Sequence, residues 1–488
     1  MLFHHNITAY SILLIIYIIS FISSAEIIVN TFDELLNAVK TGNPKDTLLL
    51  TDGIYNIENT WSIPIEKDGM VIKGQSDDRS KVIINGRGMK ADGHHGFWVN
   101  APNVTICDLT IQNVRNHCIQ TNINTDGLHV KNCILRDAGE QLLKVPKGDS
   151  NNPSENGVVE NCLFEYSAGI GPQYYIGGID CHFSKDWIVR NNVFKYIRSP
   201  EDKIAEHAIH FWSSSENTIV ERNLIIDCDR GIGFGLGSSA HLGGIIRNNM
   251  IYHKKFDGPD RGDVGIALES SPNTRIYNNT VFLEHEYTNS IEYRFSETNN
   301  VYIANNLTNK RILSRNGAEA TLECNYENAE ANWFENANSG NLHINSHELV
   351  QIIDRGANIT GLDNDFDGNL RPNGSGIDIG ADEFFETAIL NKTTNYSYKY
   401  KAVIFQDYPI ERNSTSYTSF FIPFDDYICI SLYDISGRQI KKLYEQYTGN
   451  GFHTISWNTS NIAREVYMLI LSSPSNNIFT SQIVCVYY

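Results

Sequence analysis

The chain has 488 residues, and its 57 acidic and 39 basic side chains give a formal net charge of −18. This length is enough for a large core and at least one further domain. The acidic balance excludes nucleic acid as an expected partner, because nucleic-acid binding needs a basic surface against the phosphates. An acidic polysaccharide is compatible with this charge only where a groove is locally basic.

The first 25 residues have the pattern of a secretion signal. Residues 11–23 are apolar, and the stretch ends in the small residues Ser23, Ser24 and Ala25, as signal peptides do before their cleavage site. The stretch is too short for a typical membrane span, and no other segment is long and apolar enough. We therefore expect residues 1–25 to be removed, which leaves a secreted or cell-surface monomer with no transmembrane segment.

The nine cysteines match neither a small disulfide scaffold nor paired zinc-binding motifs. Several fall at inward positions of the repeat described next, so we expect most of them to be small core residues. A disulfide between Cys133 and Cys162 is compatible with the sequence but is not required by it.

One sequence block recurs at intervals of about thirty residues. The copies are VKNCIL (130–135), VENCLF (159–164), VRNNVF (189–194), VERNLI (220–225), IRNNMI (246–251), IYNNTV (276–281) and IANNLT (303–308). Each copy reads as a short alternating strand bounded by turn residues, with no helical period between copies. This pattern predicts a parallel β-helix, in which each coil buries its apolar face against the coils above and below.

An asparagine column runs through these blocks. The aligned positions are Asp108, Asn132, Asn161, Asn192, Asn223, Asn249, Asn279 and Asn306. We expect these side chains to stack at one turn and to bond the backbone of neighbouring coils, which is a structural role.

A second strand follows each block and predicts an outer wall. Its isoleucine or leucine points into the core, and the next residue points outward because strand side chains alternate. One predicted outward column is Gln120, Lys144, Asp180, His210, Gly233, Ala267 and Glu292, and a parallel column is His182, Trp212, Gly235, Glu269 and Arg294. His207 and Arg230 flank the first column. We expect a trough beside the glycines in which an extended chain lies, with Trp212 as a stacking platform.

The region from Val71 to Arg315 resembles the right-handed parallel β-helix superfamily, which includes pectate, alginate and chondroitin lyases, polygalacturonases and phage tailspikes. The resemblance implies an all-β chain with a right-handed parallel β-helix solenoid over residues 26–384. It rests on the form of the repeat, so it is specific for the fold and not for the chemistry.

The outward residues favour β-elimination over hydrolysis. Hydrolysis needs two carboxyl groups ~5–9.5 Å apart, whereas Asp180 and Glu292 lie four coils apart, about 19 Å at the usual strand spacing. Elimination from a uronic acid needs a base, an acid and a cation or metal for the sugar carboxylate. The chain is acidic overall, but the predicted outer wall carries basic side chains that suit these roles.

We therefore expect a polysaccharide lyase acting on an acidic polysaccharide. The candidate catalytic residues are Lys144, Asp180, His207, His210 and Arg230, and the candidate substrate-binding residues are His182, Trp212, Glu269, Glu292 and Arg294. In this scheme His210 or Lys144 is the base, Arg230 and Arg294 bind carboxylates, and Asp180 orients His210 or helps to hold calcium.

Three alternatives stay open. A glycoside hydrolase would use acids that the sequence does not pair, with Glu206 and Asp229 as a weaker option. His207, Asp180 and His182 are compatible with a zinc-type metal site, although no standard ligand motif supports one. A non-catalytic glycan-binding surface protein or adhesin is the third alternative.

Residues 362–383, LDNDFDGNLRPNGSGIDIGADE, follow the solenoid. Asp363, Asp365 and Asp367 match the first half of a calcium-binding loop, but its last position is Gly374 instead of glutamate. The stretch is similar to an ending common in bacterial β-helix proteins, DxDGxxRP followed by DIGAxE. This similarity implies a closing cap for the solenoid, and bound calcium is the alternative.

A polar linker over residues 385–405 precedes predicted strands of a small β-sandwich over residues 406–488. The motif residues there are Tyr433, Asp434, Gly437, Arg438, Gly451, His453, Trp457, Val466 and Tyr467. They resemble the C-terminal sorting domain of the type IX secretion system, which implies that this secretion machinery is a partner. Glu465 replaces the usual glycine before the Val-Tyr pair, and no terminal lysine follows. The alternative is an accessory sandwich with Trp457 and Tyr433 in its core.

Overall fold

The computed structural model describes residues 24–488 except for 77, 124, 148–150, 257–260, 385–402, 407–409, 412–414, 423–425, 435–436, 450, 461, 464–465, 474–477 and 488. The predicted signal segment, apart from its last two residues, and most of the predicted linker lie outside the described residues. Within the part of the chain that is described, no helix is long and apolar enough to cross a membrane.

Three long parallel sheets form a β-solenoid, as the repeat predicted. The first sheet consists of β1 (Glu26–Val29), β2 (Thr47–Leu50), β5 (Val71–Gly74), β8 (Thr105–Cys107), β11 (His129–Lys131), β15 (Val158–Glu160), β19 (Ile188–Arg190), β23 (Ile219–Glu221), β27 (Ile245–Arg247), β30 (Arg275–Tyr277), β33 (Val301–Ala304) and β36 (Ala320–Glu323). The second sheet consists of β4 (Ile63–Ile65), β7 (Phe97–Val99), β10 (Ile119–Thr121), β13 (Gln141–Val145), β17 (Gly177–His182), β21 (His207–Trp212), β25 (Arg230–Phe234), β29 (Ile266–Glu269), β32 (Asn289–Arg294) and β35 (Arg311–Arg315). The third sheet consists of β3 (Gly53–Asn56), β6 (Val82–Asn85), β9 (Thr110–Val114), β12 (Ile134–Ala138), β16 (Leu163–Glu165), β20 (Val193–Lys195), β24 (Leu224–Ile226), β28 (Met250–His253), β31 (Thr280–Leu283) and β34 (Leu307–Thr308). A short fourth sheet consists of β14 (Ser154–Glu155), β18 (Ser184–Lys185), β22 (Ser215–Glu216) and β26 (His241–Leu242).

The interior of the solenoid is filled by aliphatic side chains in register. In the second sheet Leu143 pairs with Ile179, Ile179 with Ile209 and Ile209 with Ile232, one coil apart each time. All four side chains are fully buried. Because the period of a strand is two residues, this inward register fixes which neighbouring residues face outward.

A helix, α1 (Phe32–Thr41), packs on the first coils, and the sequence analysis did not predict it. The Thr31 hydroxyl caps it by accepting a hydrogen bond from the Glu34 amide at 3.2 Å. Leu35 and Val39 are buried in the same hydrophobic cluster as the solenoid interior. Within the described residues, the first strand of the solenoid is β1, well before the first recognisable repeat.

The asparagine ladder is real, but it is offset by one residue from the predicted alignment at its start. It begins at Asn192, whose side-chain amide donates to Asn223 Oδ1 at 3.0 Å, and continues through Asn249, Asn279 and Asn306. Asn132 and Asn161 lie one position earlier, where the backbone is left-handed, with φ of 48° and 56°. Cys133 and Cys162 occupy the ladder position in those two coils. Asparagine suits both positions, since it tolerates φ > 0 and bonds neighbouring backbone.

The described cysteines are mostly core residues, as the sequence predicted. Cys107, Cys118, Cys133, Cys162, Cys181 and Cys228 are buried, and all are free thiols. Cys133 and Cys162 are neighbours, since the Cys133 amide donates to Cys162 Sγ at 3.4 Å. Their optional disulfide is therefore not formed in this structure.

The segment after the solenoid lies along the side of the coils. It contains β37 (Phe334–Asn336) and β38 (Asn341–Ile344), an antiparallel pair, and the short 3₁₀ helices Ala331–Trp333 and Ala337–Ser339. Its apolar side chains pack with the outward side chains of the third sheet, namely Ile226, Met250, Tyr252, Phe282 and Leu307.

The predicted closing cap belongs to this lateral segment. The side-chain amides of Asn248, Asn278 and Asn305, from successive coils, donate to the carbonyls of Asn364, Asp378 and Ala357 at 2.7, 2.9 and 2.9 Å. A segment that bonds three successive coils runs along the solenoid. It covers the outer face of the third sheet and leaves the second sheet uncovered by this packing.

The C-terminal region folds into two mainly antiparallel sheets, consistent with the predicted small β-sandwich. One sheet is β39 (Val403–Gln406), β41 (Thr415–Ile422) and β44 (Gly451–Asn458), and the other is β40 (Ile410–Glu411), β46 (Ile478–Tyr487), β45 (Val466–Ser473), β42 (Asp426–Asp434) and β43 (Gln439–Thr448). Trp457 is buried in the core, where its indole donates to the Thr418 hydroxyl at 2.9 Å. The Asp434 carboxylate accepts hydrogen bonds from the Arg438 amide and guanidinium, both at 3.0 Å, and so connects the end of β42 to the chain just before β43. These two motif positions therefore stabilise the sandwich, and its role in type IX secretion stays a prediction.

Candidate active site

The second sheet carries the outward column that the alternation predicted. Lys144 pairs with Asp180, Asp180 with His210 and His210 with Gly233, one coil apart each time. In the neighbouring column His182 pairs with Trp212. We call Lys144, Asp180, His182, Glu206, His207, His210, Trp212 and Arg230 the Asp180 cluster.

The polar side chains of this outer wall are largely buried. The relative exposure is 2% for His210 and 5% each for Asp180 and His207. The side chains shield each other, because the His207 and His210 rings lie 4.4 Å apart and the Trp212 ring stacks parallel to His210 at 5.5 Å. The wall is therefore a packed polar layer.

Asp180 is at the centre of the cluster and uses both of its oxygens. Oδ2 accepts from the Lys144 ammonium and lies 3.3 Å from His182 Nε2, and Oδ1 accepts from the Trp212 indole at 2.8 Å. His210 Nδ1 lies 3.9 Å from the same Oδ1. Burial raises the pKa of this carboxyl, but the His182 hydrogen bond and the Lys144 charge outweigh burial, so the pKa is lowered overall. Asp180 is therefore an ionised anchor.

The sequence suggested Trp212 as a stacking platform, and in the structure this side chain packs against its neighbours on the wall. Its indole nitrogen donates to Asp180, its ring centroid lies 4.2 Å from that of His182, and the His210 ring is parallel to it at 5.5 Å. The indole therefore holds Asp180, and its role as a platform for sugar stays a prediction.

The two histidines of β21 are neutral near pH 7. Burial lowers the pKa of His210 to about 4, and burial, with the neighbouring His210 ring and the Arg230 guanidinium, lowers the pKa of His207 well below its ordinary value. His210 Nε2 lies 3.1 Å from Gly235 O. A carbonyl only accepts, so Nε2 of His210 carries the proton and Nδ1 carries the lone pair.

His207 differs from the other imidazoles of the cluster because its Nδ1 has no hydrogen-bond partner among the described residues. Its ring folds over Gly233, where an added Cβ would lie 2.7 Å from Nε2. The side-chain amide of Gln141 on the same wall is likewise buried and unpaired. Buried unpaired polar atoms are rare in folded proteins and are typical of sites that bind water or a ligand.

Glu206, which the sequence offered only as a weaker option for hydrolysis, and Asp263, which it did not point to, belong to the site. Arg230 Nε lies 3.2 Å from Asp263 Oδ2, and Arg230 Nη1 lies 4.0 Å from Glu206 Oε2. Burial raises the pKa of Glu206, with the Asp180 charge adding to the rise and the Arg230 charge opposing it. The signal for Glu206 was its position directly before His207. The optional partner Asp229 is occupied, since its Oδ2 accepts from the Ser199 and Ala205 amides.

The structure does not bring Glu269, Glu292 and Arg294 to the Asp180 cluster. Glu292 is four strands from Asp180 in the same column, and it is held by Tyr287, Asn289 and Arg315. Glu269 and Arg294 form an ion pair of 2.8 Å with each other. These residues form a second polar cluster, and their substrate-binding roles stay predictions.

The donor set of the Asp180 cluster suits a nitrogen-preferring metal and not calcium. One ligand atom each from Glu206, His207 and His210 lies within 4.8 Å of the others, and imidazole with carboxylate suits zinc-like ions. Calcium needs six to eight oxygen ligands, whereas the Asp180 oxygens are already taken by Lys144, His182 and Trp212. The calcium that the sequence allowed at Asp180 therefore does not fit.

The acidic loop of the lateral segment uses its carboxylates for the fold. Asp365 accepts hydrogen bonds from the Asn369 amide at 2.8 Å and from the Glu383 amide at 3.3 Å. Burial and the neighbouring Asp367 and Asp382 carboxylates raise the pKa of Asp365 to about 7. Asp367 and Asp382 also lie close to His343.

A separate open depression of about 660 Å³ lies beside the last coils, lined by His285, Tyr287, Lys310 and Arg311 among others. The Lys310 ammonium there is bonded to the carbonyls of His285 and Tyr287. We therefore place the candidate chemistry at the Asp180 cluster.

Comparisons with known proteins found similar folds only. No family model and no curated protein matches the chain. An alginate lyase from Paenibacillus sp. str. FPU-7 is 12% identical, with 62% of this chain and 99% of that chain covered and a TM-score of 0.37. A PL6 family polysaccharide lyase from Pseudopedobacter saltans is 13% identical, with coverage of 62% and 94% and a TM-score of 0.33. Endopolygalacturonase I from Stereum purpureum is 12% identical, with coverage of 61% and 99% and a TM-score of 0.33. Similarity at this level carries no argument about the reaction, which has to be argued from the site.

Proposed function

We propose that the chain is a polysaccharide lyase that cleaves an acidic, uronate-containing polysaccharide by β-elimination at the Asp180 cluster. The observation that carries the proposal is the neutral His207 imidazole, whose Nδ1 is unpaired. This imidazole lies beside Arg230, its register partner in the next strand, and the ion pair of Lys144 with Asp180 completes the cluster. A neutral base, a guanidinium and an ammonium are the groups that elimination requires.

In this reaction the base removes the proton from C5 of the uronate. The electrons of that C–H bond form the C4=C5 double bond, and the bond from C4 to the oxygen of the neighbouring sugar breaks. The leaving oxygen takes a proton from an acid. The products are one unsaturated non-reducing end and one new reducing end, and no water is consumed.

His207 is the base in this proposal. Burial keeps it unprotonated, and the uronate carboxylate that binds beside it raises its pKa toward neutrality through its opposite charge. Arg230 faces that carboxylate, since its planar guanidinium is suited to bidentate pairing and its side chain is 25% exposed.

Lys144 is the proton donor to the leaving oxygen. Its ammonium donates to Asp180 Oδ2 and lies 2.8 Å from His182 Nε2, so at most two of its three protons are used. Its third proton is left for the leaving oxygen. Asp180 acts through Lys144 and is a positioning residue.

Glycoside hydrolysis is the second candidate, and one observation favours it. Glu206 has a raised pKa and Asp180 a lowered one, and such divergence is typical of an acid paired with an ionised carboxylate. However, both Asp180 oxygens are bonded to Lys144, His182 and Trp212. A carboxylate offers about four lone-pair sites, and three of those of Asp180 are in use, so elimination is the better fit.

The test is incubation of the purified chain with alginate, pectate, chondroitin and ulvan. Ultraviolet absorbance reports the conjugated C4=C5 double bond, and a separate assay reports new reducing ends. Elimination produces both signals in equal number, hydrolysis produces reducing ends alone, and a non-catalytic glycan-binding protein produces neither. Reducing ends without absorbance would therefore overturn the lyase proposal in favour of hydrolysis.

Variants then assign the roles. His207→Ala should lower kcat by about 100- to 10,000-fold, the usual contribution of a general base. His347→Ala is the matched control, because His347 is exposed and outside the wall. If elimination persists in His207→Ala at the control rate, His207 is not the base. Glu206→Gln should leave elimination measurable, whereas it should abolish hydrolysis.

A further inference from the structure

A pair of tryptophans lies on the same outer wall, toward the first coils. Trp61 precedes β4 and Trp98 lies in β7, and their ring centroids are 4.6 Å apart with the planes tilted by 50°. The His95 imidazole packs against both rings, at 4.7 and 5.3 Å. We call Trp61, Trp98 and His95 the tryptophan platform.

The platform is not needed to fill the core. Ile63, Ile65, Phe97 and Val99 of the same two strands are fully buried inside the solenoid, whereas Trp61 keeps 50% of its surface exposed. Single exposed apolar residues are ordinary. Two adjacent tryptophans on one outward face form an apolar surface, and such surfaces commonly mark binding sites.

The register aligns the platform with the Asp180 cluster. Trp98 pairs with Gln120, and Gln120 pairs with Lys144. Trp98 is therefore two strands from Lys144 and three from Asp180, or about 10 and 14 Å along the wall at the usual strand spacing.

His117 connects the two sites. Its ring lies 5.3 Å from the His95 ring. Its Nδ1 donates to the carbonyl of Gln141 at 2.7 Å, and Gln141 begins β13, the strand that carries Lys144. His117 thus lies between the His95 ring of the platform and a strand of the cluster.

We propose that the tryptophan platform binds sugar rings of the same polysaccharide chain at a distance from the bond that is cleaved. The inference rests on the proposed function, since it uses the Asp180 cluster as the other end of the binding groove. The C–H face of a pyranose ring packs on indole, and sugar hydroxyls remain free to bond at the edge. Burial lowers the pKa of His95 to about 4, so the platform carries no charge and binds through contact area.

Two physical consequences distinguish this subsite from the Asp180 cluster. Binding at an uncharged aromatic surface changes little with salt, whereas the Arg230 and Lys144 contacts weaken as salt screens them. The platform also contributes only to chains long enough to reach it, so short oligosaccharides bound at the cluster gain nothing from it.

The test uses Trp61→Ala, with Trp61→Phe as the conservative variant and Tyr447→Ala as an exposed-aromatic control in the C-terminal sandwich. Gel electrophoresis through each acidic polymer measures binding without turnover, and kinetics compare polymer with short oligosaccharides. For Trp61→Ala we expect roughly tenfold weaker polymer binding and a matching rise in KM, from the energy of aromatic packing. Values of kcat and all parameters for short oligosaccharides should stay unchanged. Trp61→Phe should recover most of the affinity.

The outcomes separate this inference from the proposed function. Weaker binding of Trp61→Ala in a chain that produces no unsaturated ends supports the platform and removes the lyase. Unsaturated ends with unchanged polymer binding in both Trp61→Ala and Trp98→Ala overturn the platform and keep the lyase. Failure of the wild-type chain to bind any of the acidic polymers overturns the platform as well. Thermal unfolding of each variant checks that the variant is folded. Trp61 is half-exposed, so its replacement should disturb the fold less than the replacement of Trp98.

Discussion

Replacement of Asp180 by asparagine tests the central feature of the site, a buried carboxylate that holds several donors. The side chain of Asp180 is 7% exposed and that of its partner Lys144 is 12% exposed. The asparagine side chain would keep the shape and one acceptor for the Trp212 indole. It would remove the charge that compensates the Lys144 ammonium and would turn an amide N–H toward it.

Removal of one partner from a buried ion pair costs about 3–5 kcal/mol. We expect a loss near 3 kcal/mol for Asp180→Asn, because the Lys144 head group keeps slight contact with solvent. This is a large part of the 5–15 kcal/mol that ordinarily separates folded from unfolded protein. A solenoid responds locally, so the loss should be greatest in the coils from β13 to β25.

The assay is chemical denaturation of Asp180→Asn, Lys144→Met and the double variant, with hydrogen exchange to locate the loosened coils. The double variant removes the uncompensated charge, so it should be more stable than Asp180→Asn, and the two single effects should fail to add by about 0.5–3 kcal/mol. Both variants that lack Asp180 should be inactive. Lys185→Ala, which breaks an exposed pair with Glu216, is the control and should change stability far less. The reasoning is refuted if Asp180→Asn unfolds like this control, or if the two single effects simply add.

Three further predictions concern the imidazoles of the wall. The folded-state pKa of His210 is about 4, below the ordinary 6.5, so acid protonates this histidine in the unfolded chain first. The free energy of unfolding should therefore be highest above about pH 6.5 and fall by about 1.4 kcal/mol per pH unit for such a histidine down to its folded pKa. A denaturation midpoint that stays constant over this range contradicts the assignment of neutral imidazoles. Zinc should inhibit elimination, because it would bind Glu206, His207 and His210 and so occupy the base. Titration of the activity with zinc and the loss of zinc binding in His207→Ala check this. A calcium requirement, shown by chelation and add-back, would contradict the argument that these nitrogen-rich ligands do not suit calcium. Gly233→Ala should lower kcat by about tenfold or more, because the new Cβ would lie 2.7 Å from His207 Nε2 and a small displacement of a catalytic group has large kinetic effects. Gly53→Ala is the control: its new Cβ meets no atom nearer than 3.9 Å, so this variant should behave as wild type.

The fold and the outward columns could be predicted because they depend on local alternation. Inward residues such as Ile179 and Ile209 repeat with a period of two within each strand, and the same pattern recurs once per coil. This fixes the pairing of Lys144 with Asp180 and of Asp180 with His210, which the structure has. The chain direction and strand period therefore determine which residues share the wall.

The burial and the contacts of the wall could not be predicted in the same way. They depend on how side chains of different coils fold over each other, and sequence spacing holds no information on rotamers. The His207 ring covers Gly233 and the Trp212 indole turns toward Asp180. Glu206 enters the site from the position directly before β21, outside the strand, where the alternation no longer applies. The ladder was offset for a related reason, since Asn132 and Asn161 occupy a turn position that favours asparagine.

Glycines of the second sheet that lie beside the Asp180 cluster are the sequence signal that connects these two levels. A Cβ at Gly177 would lie 3.1 Å from the Gln141 side chain and 3.2 Å from that of Glu206, and a Cβ at Gly233 would meet the His207 ring. Neither glycine has the positive φ that would explain it through the backbone. Both are explained by the polar side chain from a neighbouring coil that fills the space above them. A glycine in an outward position next to histidine or glutamate in the adjacent coil therefore indicates a packed polar layer, and that layer is where this solenoid places the groups suited to catalysis.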